Sequence, residues 1–95
     1  ASDPIALGVV HALREEGIKV PEDISIISFD NIEASAFMSP PLSTVDLNSK
    51  ELGRQAVSLL NQRIEGRDIP IKVVVQSNLI ERESIKTLEE VVVNE

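Results

Sequence analysis

Apolar residues near the start of the chain recur at helical spacing. Ile5, Val9, Ala12 and Leu13 fall at i, i+4, i+7 and i+8 and form one stripe, and Ala6, Leu7 and Val10 form a second on a neighbouring face. Ser2-Asp3-Pro4 opens this stretch and Gly17 closes it. Asp3 suits an N-cap, Pro4 suits the first helical position where its missing N–H costs nothing, and glycine is a natural stop. The spacing predicts a helix over 4–16. A helix that covers one sheet needs only the first stripe, so the second is left to meet another layer of the same chain or another subunit.

After the short connection Val20-Pro21-Glu22-Asp23, the run Ile24-Ser25-Ile26-Ile27-Ser28-Phe29 is almost continuously apolar and β-branched. That pattern predicts an interior strand of a parallel sheet. It stops at Asp30-Asn31, beyond the carboxyl end of the strand, where open parallel α/β sheets bind ligands. Asp30 is thus placed for a functional carboxylate, and capping of the next turn would use the position equally well. Residues 32–41 hold a brief apolar stretch with Phe37 and Met38, fit for a short helix or turn, before Pro40-Pro41. Leu42 to Val45 reads as an extended segment crossing between units.

Asn48 is the expected start of a second helix, with Glu51 at the capping-box position. Leu52, Ala56, Leu59, Leu60 and Ile64 keep helical spacing up to Gly66. Arg67-Asp68-Ile69-Pro70 predicts a turn, 71–75 a strand, and Leu79-Ile80 a second short strand ending at Glu81-Arg82-Glu83-Ser84. Ile85, Leu88 and Val92 return to helical spacing, against the low helix propensity of three successive valines. The order α-β-(short α)-β-α-β-β predicts a layered α/β domain.

Composition narrows the chemistry. The chain has 95 residues, enough for one small domain or a piece of a larger one. Sixteen acidic against nine scattered basic residues give a net charge of −7, which argues against a nucleic-acid-binding surface on these residues. Phe29 and Phe37 are the only aromatic residues, so the core must be aliphatic. There is no cysteine, hence no disulfide and no thiolate chemistry. No apolar run approaches bilayer length and no secretory signal opens the chain. His11 is the single histidine and has no second metal ligand near it in sequence, so no metal site is expected. No Gly-rich loop follows a strand. Asp3 and Asp30 could sit together as a carboxylate pair. Without an electrophile or metal partner, such a pair binds hydroxyl groups or caps helices. Neither an enzyme nor a cofactor is expected.

Several segments jointly resemble one family. They are Ser2-Asp3 with Ala6-Leu7-Gly8; Gly17-Ile18-Lys19-Val20-Pro21-Glu22-Asp23-Ile24-Ser25-Ile26-Ile27; Phe29-Asp30-Asn31; Pro40-Pro41-Leu42-Ser43-Thr44-Val45; Leu52-Gly53; and Leu79-Ile80-Glu81-Arg82-Glu83-Ser84. In order and in register over residues 1–85, they are similar to the C-terminal part of the effector-binding region of LacI/GalR (lactose-repressor) transcription regulators. The residue before Phe-Asp, usually Gly in that family, is Ser28 here.

The resemblance implies a three-layer, Rossmann-like α/β architecture, a fragment of the type I periplasmic-binding-protein-like fold. On that basis residues 1–45 belong to the C-terminal lobe, 46–78 to the N-terminal lobe, and 79–95 to the return through the hinge and the tail. The family's amino-terminal helix-turn-helix has no counterpart here, so DNA would be reached only through a domain absent from this chain. The resemblance further implies a small sugar-like effector held by Asp30, with Ser2, Asp3 and Phe29 beside it. It implies a dimer surface of Ala6, Leu7, Val10, His11, Glu33, Ala36 and Phe37, and a homodimer or higher oligomer in the cytoplasm without membrane contact. A sugar-binding protein of a transport system, or a stand-alone oligomerisation module, are the alternatives. The fragment alone is expected to self-associate and to bind effector weakly or not at all.

Overall fold

The computed structural model describes residues 1–88, so Val92 lies outside the described residues. The chain runs α1 (Asp3–Glu15), β1 (Ile27–Phe29), a 3-10 helix (Glu33–Phe37), β2 (Ser43–Asp46), α2 (Ser49–Ile64) and β3 (Asn78–Ile80). Helix α1 begins and ends within a residue of its expected limits. Gly17 supplies the left-handed backbone that stops it, at φ +74°. The α/β class is as expected.

The three strands form one sheet in the order β1-β2-β3. β1 and β2 are parallel, with Ile27 opposite Ser43 and Phe29 opposite Val45. β3 is antiparallel to β2, with Val45 opposite Leu79. Leu42 to Val45 is therefore no crossing segment but the approach to, and most of, the central strand. The expected strand over 24–29 shortens to its last three residues, because Ile24 to Ile26 lie beyond the start of β2. Residues 71–75 form no ladder, since no strand among the described residues runs beside them.

Of the three expected layers, the chain itself supplies the sheet and the α1 layer. The inward side of α1 is that of Ala6 and Val10 in the second stripe, not that of Ile5 and Val9 in the first, and Leu7 of the second stripe stays outside. Asp3, Ala6 and Val10 are buried, while Ile5, Leu7 and Val9 are exposed. The cause is Asp3. Its carboxylate is wholly buried against hydroxyl groups of the sheet, and the helix rotates to deliver it. Ala6, one turn on, is small enough to let the helix lie close. On the other face of β1, Ile27 and Phe29 remain about half exposed.

Helix α2 forms where the periodicity places it, yet none of its residues is buried. The radius of gyration is 19.2 Å, whereas a compact globule of this length would have about 12 Å. Helix α2 and the extended segment after it bury no residue and stand away from the sheet.

Candidate functional site

The carboxyl ends of β1 and β2 lie side by side because the two strands are parallel. β1 runs into Asp30 and Asn31, and β2 ends at Asp46, two residues before Asn48 at the amino-terminal end of α2. These residues, with Lys50, Glu51, Arg54 and Val75, line a cleft of about 570 Å³. That volume lies within the range of small-molecule sites.

The turn after β1 gives the cleft its shape. Asp30 and Asn31 have φ of 113° and 51°, positive at two consecutive non-glycine residues. Such backbone costs about 1–3 kcal/mol per residue and persists only where its surroundings impose it. Here they do. The Asp30 N–H donates to the Val45 carbonyl (3.0 Å), the Asn31 N–H to Thr44 Oγ1 (3.1 Å) and the Ile32 N–H to Asp3 Oδ2 (2.9 Å). Thr44 Oγ1 in turn donates to Asp3 Oδ1 (2.7 Å), as does the Ser28 hydroxyl. Asp3 thus gathers β1, β2 and the turn on one carboxylate. Burial alone would raise the Asp3 pKa. The hydrogen bonds from Ser28, Thr44 and Ile32, with the positive charge of Arg82, more than offset this and hold it below the ordinary carboxylate value.

The far side of the turn is held by Arg82. Its Nη1 donates to Ser35 Oγ and to the Leu42 carbonyl, both at 2.8 Å, and its Nη2 donates to Asn31 Oδ1 at 2.9 Å. Asn31 Nδ2 donates to Asp46 Oδ2 (3.3 Å), while Asp46 Oδ1 accepts from the Asn48 N–H (2.9 Å). Asn48 Nδ2 donates to the Gln76 carbonyl (2.6 Å) and so pins the extended segment to the start of α2. No side-chain cap or capping box forms there, and Glu51 accepts from Gln55 instead (3.0 Å).

The expected ligand residues separate. Asp30 is exposed in the cleft. Asp3 is fully buried and engaged by three donors, so it is neither a ligand contact nor the N-cap; Ser2 is the cap residue. The Asp3–Asp30 pair does not form a shared site. Ser2 pairs with Phe29 in a single parallel bridge, and neither residue lines this cleft. Ser28, where the family pattern has Gly, has a role of its own as a donor to Asp3.

The expected dimer set also divides. Ala6 and Val10 are buried under α1, out of reach of a partner, because the helix is rotated as described. Leu7, His11, Glu33 and Phe37 are exposed, Phe37 to 83%, and Ala36 is half-buried. His11 Nε2 lies 3.0 Å from Glu15 Oε1 on the helix surface. Sequence reasoning gave no role to Asn31, Asp46, Thr44 or Arg82. The available signals were the motifs that contain them: Phe29-Asp30-Asn31 for Asn31, Pro40 to Val45 for Thr44 and Glu81-Arg82-Glu83-Ser84 for Arg82.

The periplasmic binding protein-like domain matches residues 1–85. The chain is 44% identical over 88 residues to the HTH-type transcriptional repressor PurR of Histophilus somni, covering 92% of this chain and 26% of that protein. Among solved structures it resembles a LacI family transcriptional regulator from Enterococcus faecalis with bound ribose. That match has a TM-score of 0.84 at 38% identity and covers 93% of this chain and 33% of that one. It also resembles the lac repressor dimer bound to operator and an anti-inducer, with a TM-score of 0.83 at 32% identity, covering 90% of this chain and 30% of that one. The chain spans about a quarter of the length of the curated repressor it matches. It belongs to the periplasmic binding protein-like domain family, in the form found in LacI-type transcription regulators.

Proposed function

We propose that this chain is the ligand-sensing and dimerisation part of a LacI-type transcription regulator that works in the cytoplasm and binds DNA through a domain outside these residues. The observation that carries the reading is the Asp30 turn. An exposed carboxylate is held on an imposed backbone at the coincident ends of two parallel strands, facing the amino-terminal end of α2 across a cleft. A carboxylate there accepts hydrogen bonds from the hydroxyl groups of a small polyhydroxylated molecule. The ribose bound by the Enterococcus faecalis regulator supports that class of effector.

In this reading residues 1–45 belong to one lobe, 46–78 to the other, and 79–95 return through the hinge. Asp46 and Asn48 lie where the chain passes between lobes, and Asn48 and Gln76 tie the two crossings together. An effector touching Asp30 on one lobe and the start of α2 on the other favours the closed arrangement, and that differential contact is what shifts DNA affinity. Leu7, His11, Glu33 and Phe37 face a second copy, in keeping with the lac repressor dimer.

Calorimetric titration of the full-length protein with a panel of sugars and nucleosides tests the reading. Asp30→Ala should reduce effector affinity at least tenfold, the worth of one charge-assisted hydrogen bond of about 1.5–3 kcal/mol. Unchanged affinity removes Asp30 from the pocket.

A further inference from the structure

Arg82 reaches further into the cleft's chemistry than its position in the segment after β3 implies. Its backbone is fixed first: the Arg82 N–H donates to Ser43 Oγ (2.8 Å), and Ser84, two residues on, bridges the Ser43 N–H (2.8 Å) and the Ile26 carbonyl (2.6 Å). From that root the half-buried side chain sends its two terminal nitrogens to three acceptors on separate segments, at Ser35, Leu42 and Asn31.

The contact with Asn31 has a directional consequence. A primary amide carries an acceptor at one end and two donor hydrogens at the other. Arginine can only donate, so the oxygen of Asn31 must face Arg82. An ionised carboxylate can only accept, so the nitrogen must face Asp46, and a flipped amide would set donor against donor and acceptor against acceptor. We propose that Arg82 is a positioning residue of the cleft: by holding Asn31 Oδ1 it turns the Asn31 NH2 into the site as a fixed donor next to the acceptor Asp30. One hydrogen serves Asp46 and the second is left for a ligand oxygen. The cleft then offers a donor and an acceptor on adjacent residues. This matches a hydroxyl group, which gives one hydrogen and accepts another. The inference rests on the sugar reading of the cleft.

Arg82→Lys and Arg82→Met in the full-length protein test it through two readouts. The first is hydrogen exchange of the Asn31 side-chain amide, observed by NMR with selectively labelled asparagine and identified by its loss in Asn31→Ala. The second is calorimetric titration with ribose. Lysine keeps the charge but is shorter and has a single terminal nitrogen, so it cannot span Asn31, Ser35 and the Leu42 carbonyl as the planar guanidinium does. Both variants should exchange the Asn31 amide at least tenfold faster and bind ribose at least tenfold more weakly. The Arg82→Lys thermal midpoint should stay within a few degrees of the parent's. If Arg82→Lys restores parental exchange and ribose affinity, Arg82 is a structural staple and the proposal fails. A parent protein that binds neither ribose nor any other sugar or nucleoside of the panel instead defeats the sugar reading, and the amide exchange then decides the role of Arg82 by itself.

Discussion

Around the sheet, Asp3, Ser28, Ser43, Thr44 and Ser84 are buried and hydrogen-bonded to one another or to the backbone, whereas α2, the longest element, buries no residue. Both regions carry apolar stripes of good helical spacing, so hydrophobic pattern does not explain the difference. Polar connection does. The sheet module closes on itself through side chains that name their partners by donor and acceptor. The α2 arm is tied at its start, by Asn48 to Gln76, while Arg67 bonds back to the Leu59 carbonyl of α2 itself (3.3 Å), and the arm's Leu52, Val57, Leu60 and Ile64 remain exposed. An apolar stripe establishes that a helix will be covered. It does not establish which surface covers it.

The sharpest way to probe this contrast is to remove Leu42, the one large apolar side chain buried completely among the described residues. Leu42→Ala should cost roughly 2–5 kcal/mol in urea unfolding, through lost transfer energy and the cavity left behind. A cost below 1 kcal/mol would mean that the polar network carries the module alone.

Asp3→Asn comes next, at about 1.5–3 kcal/mol near neutral pH, because a charged acceptor of three donors is replaced by a group that is itself partly a donor. The pH dependence has a definite sign. A carboxylate whose folded pKa lies below its unfolded value of 3.8 contributes stability above that value and loses it as pH falls through the depressed one. The difference between parent and Asp3→Asn should therefore be constant from pH 7 to about 5 and shrink below pH 4. A gap that stays open in acid would show that Asp3 acts by shape and not by charge.

The smallest effect is expected in the arm. Leu60→Lys should change the unfolding free energy of the 95-residue chain by no more than about 0.5 kcal/mol, as for other exposed positions. A larger loss would reveal that α2 is covered in solution, by a second copy of the chain.

How far the sequence could be read follows the same division. The limits of α1 were legible from Pro4 and Gly17, β1 from its β-branched run, and the cleft from the abrupt Phe29-Asp30-Asn31 ending. The rotation of α1 was not legible, because the periodicity of Ile5 and Val9 argued for a buried face that one buried carboxylate overrode. The central place of β2 was hidden by its own composition. Ser43 and Thr44 look like surface residues until Ser84 and Asp3 supply their partners from far along the chain. Residues 71–75 have strand composition, but a strand is a pairing and no neighbour lies beside them among the described residues. Arg82 was visible only as part of a motif, since its work is done on residues some fifty positions away.

That separation matters for the order of events during synthesis. The contacts that seal the sheet join Asn31 to Arg82 across 51 residues, Ile26 to Ser84 across 58 and Ser25 to Lys86 across 61. On a ribosome, β1, the 3-10 helix and β2 emerge well before the strand that fastens them, and their polar groups stay hydrated until it arrives. The Asn31 side chain therefore takes its final orientation late, when Arg82 is delivered. Nascent chains stalled before residue 80 should lack that orientation even with every residue that lines the cleft already made.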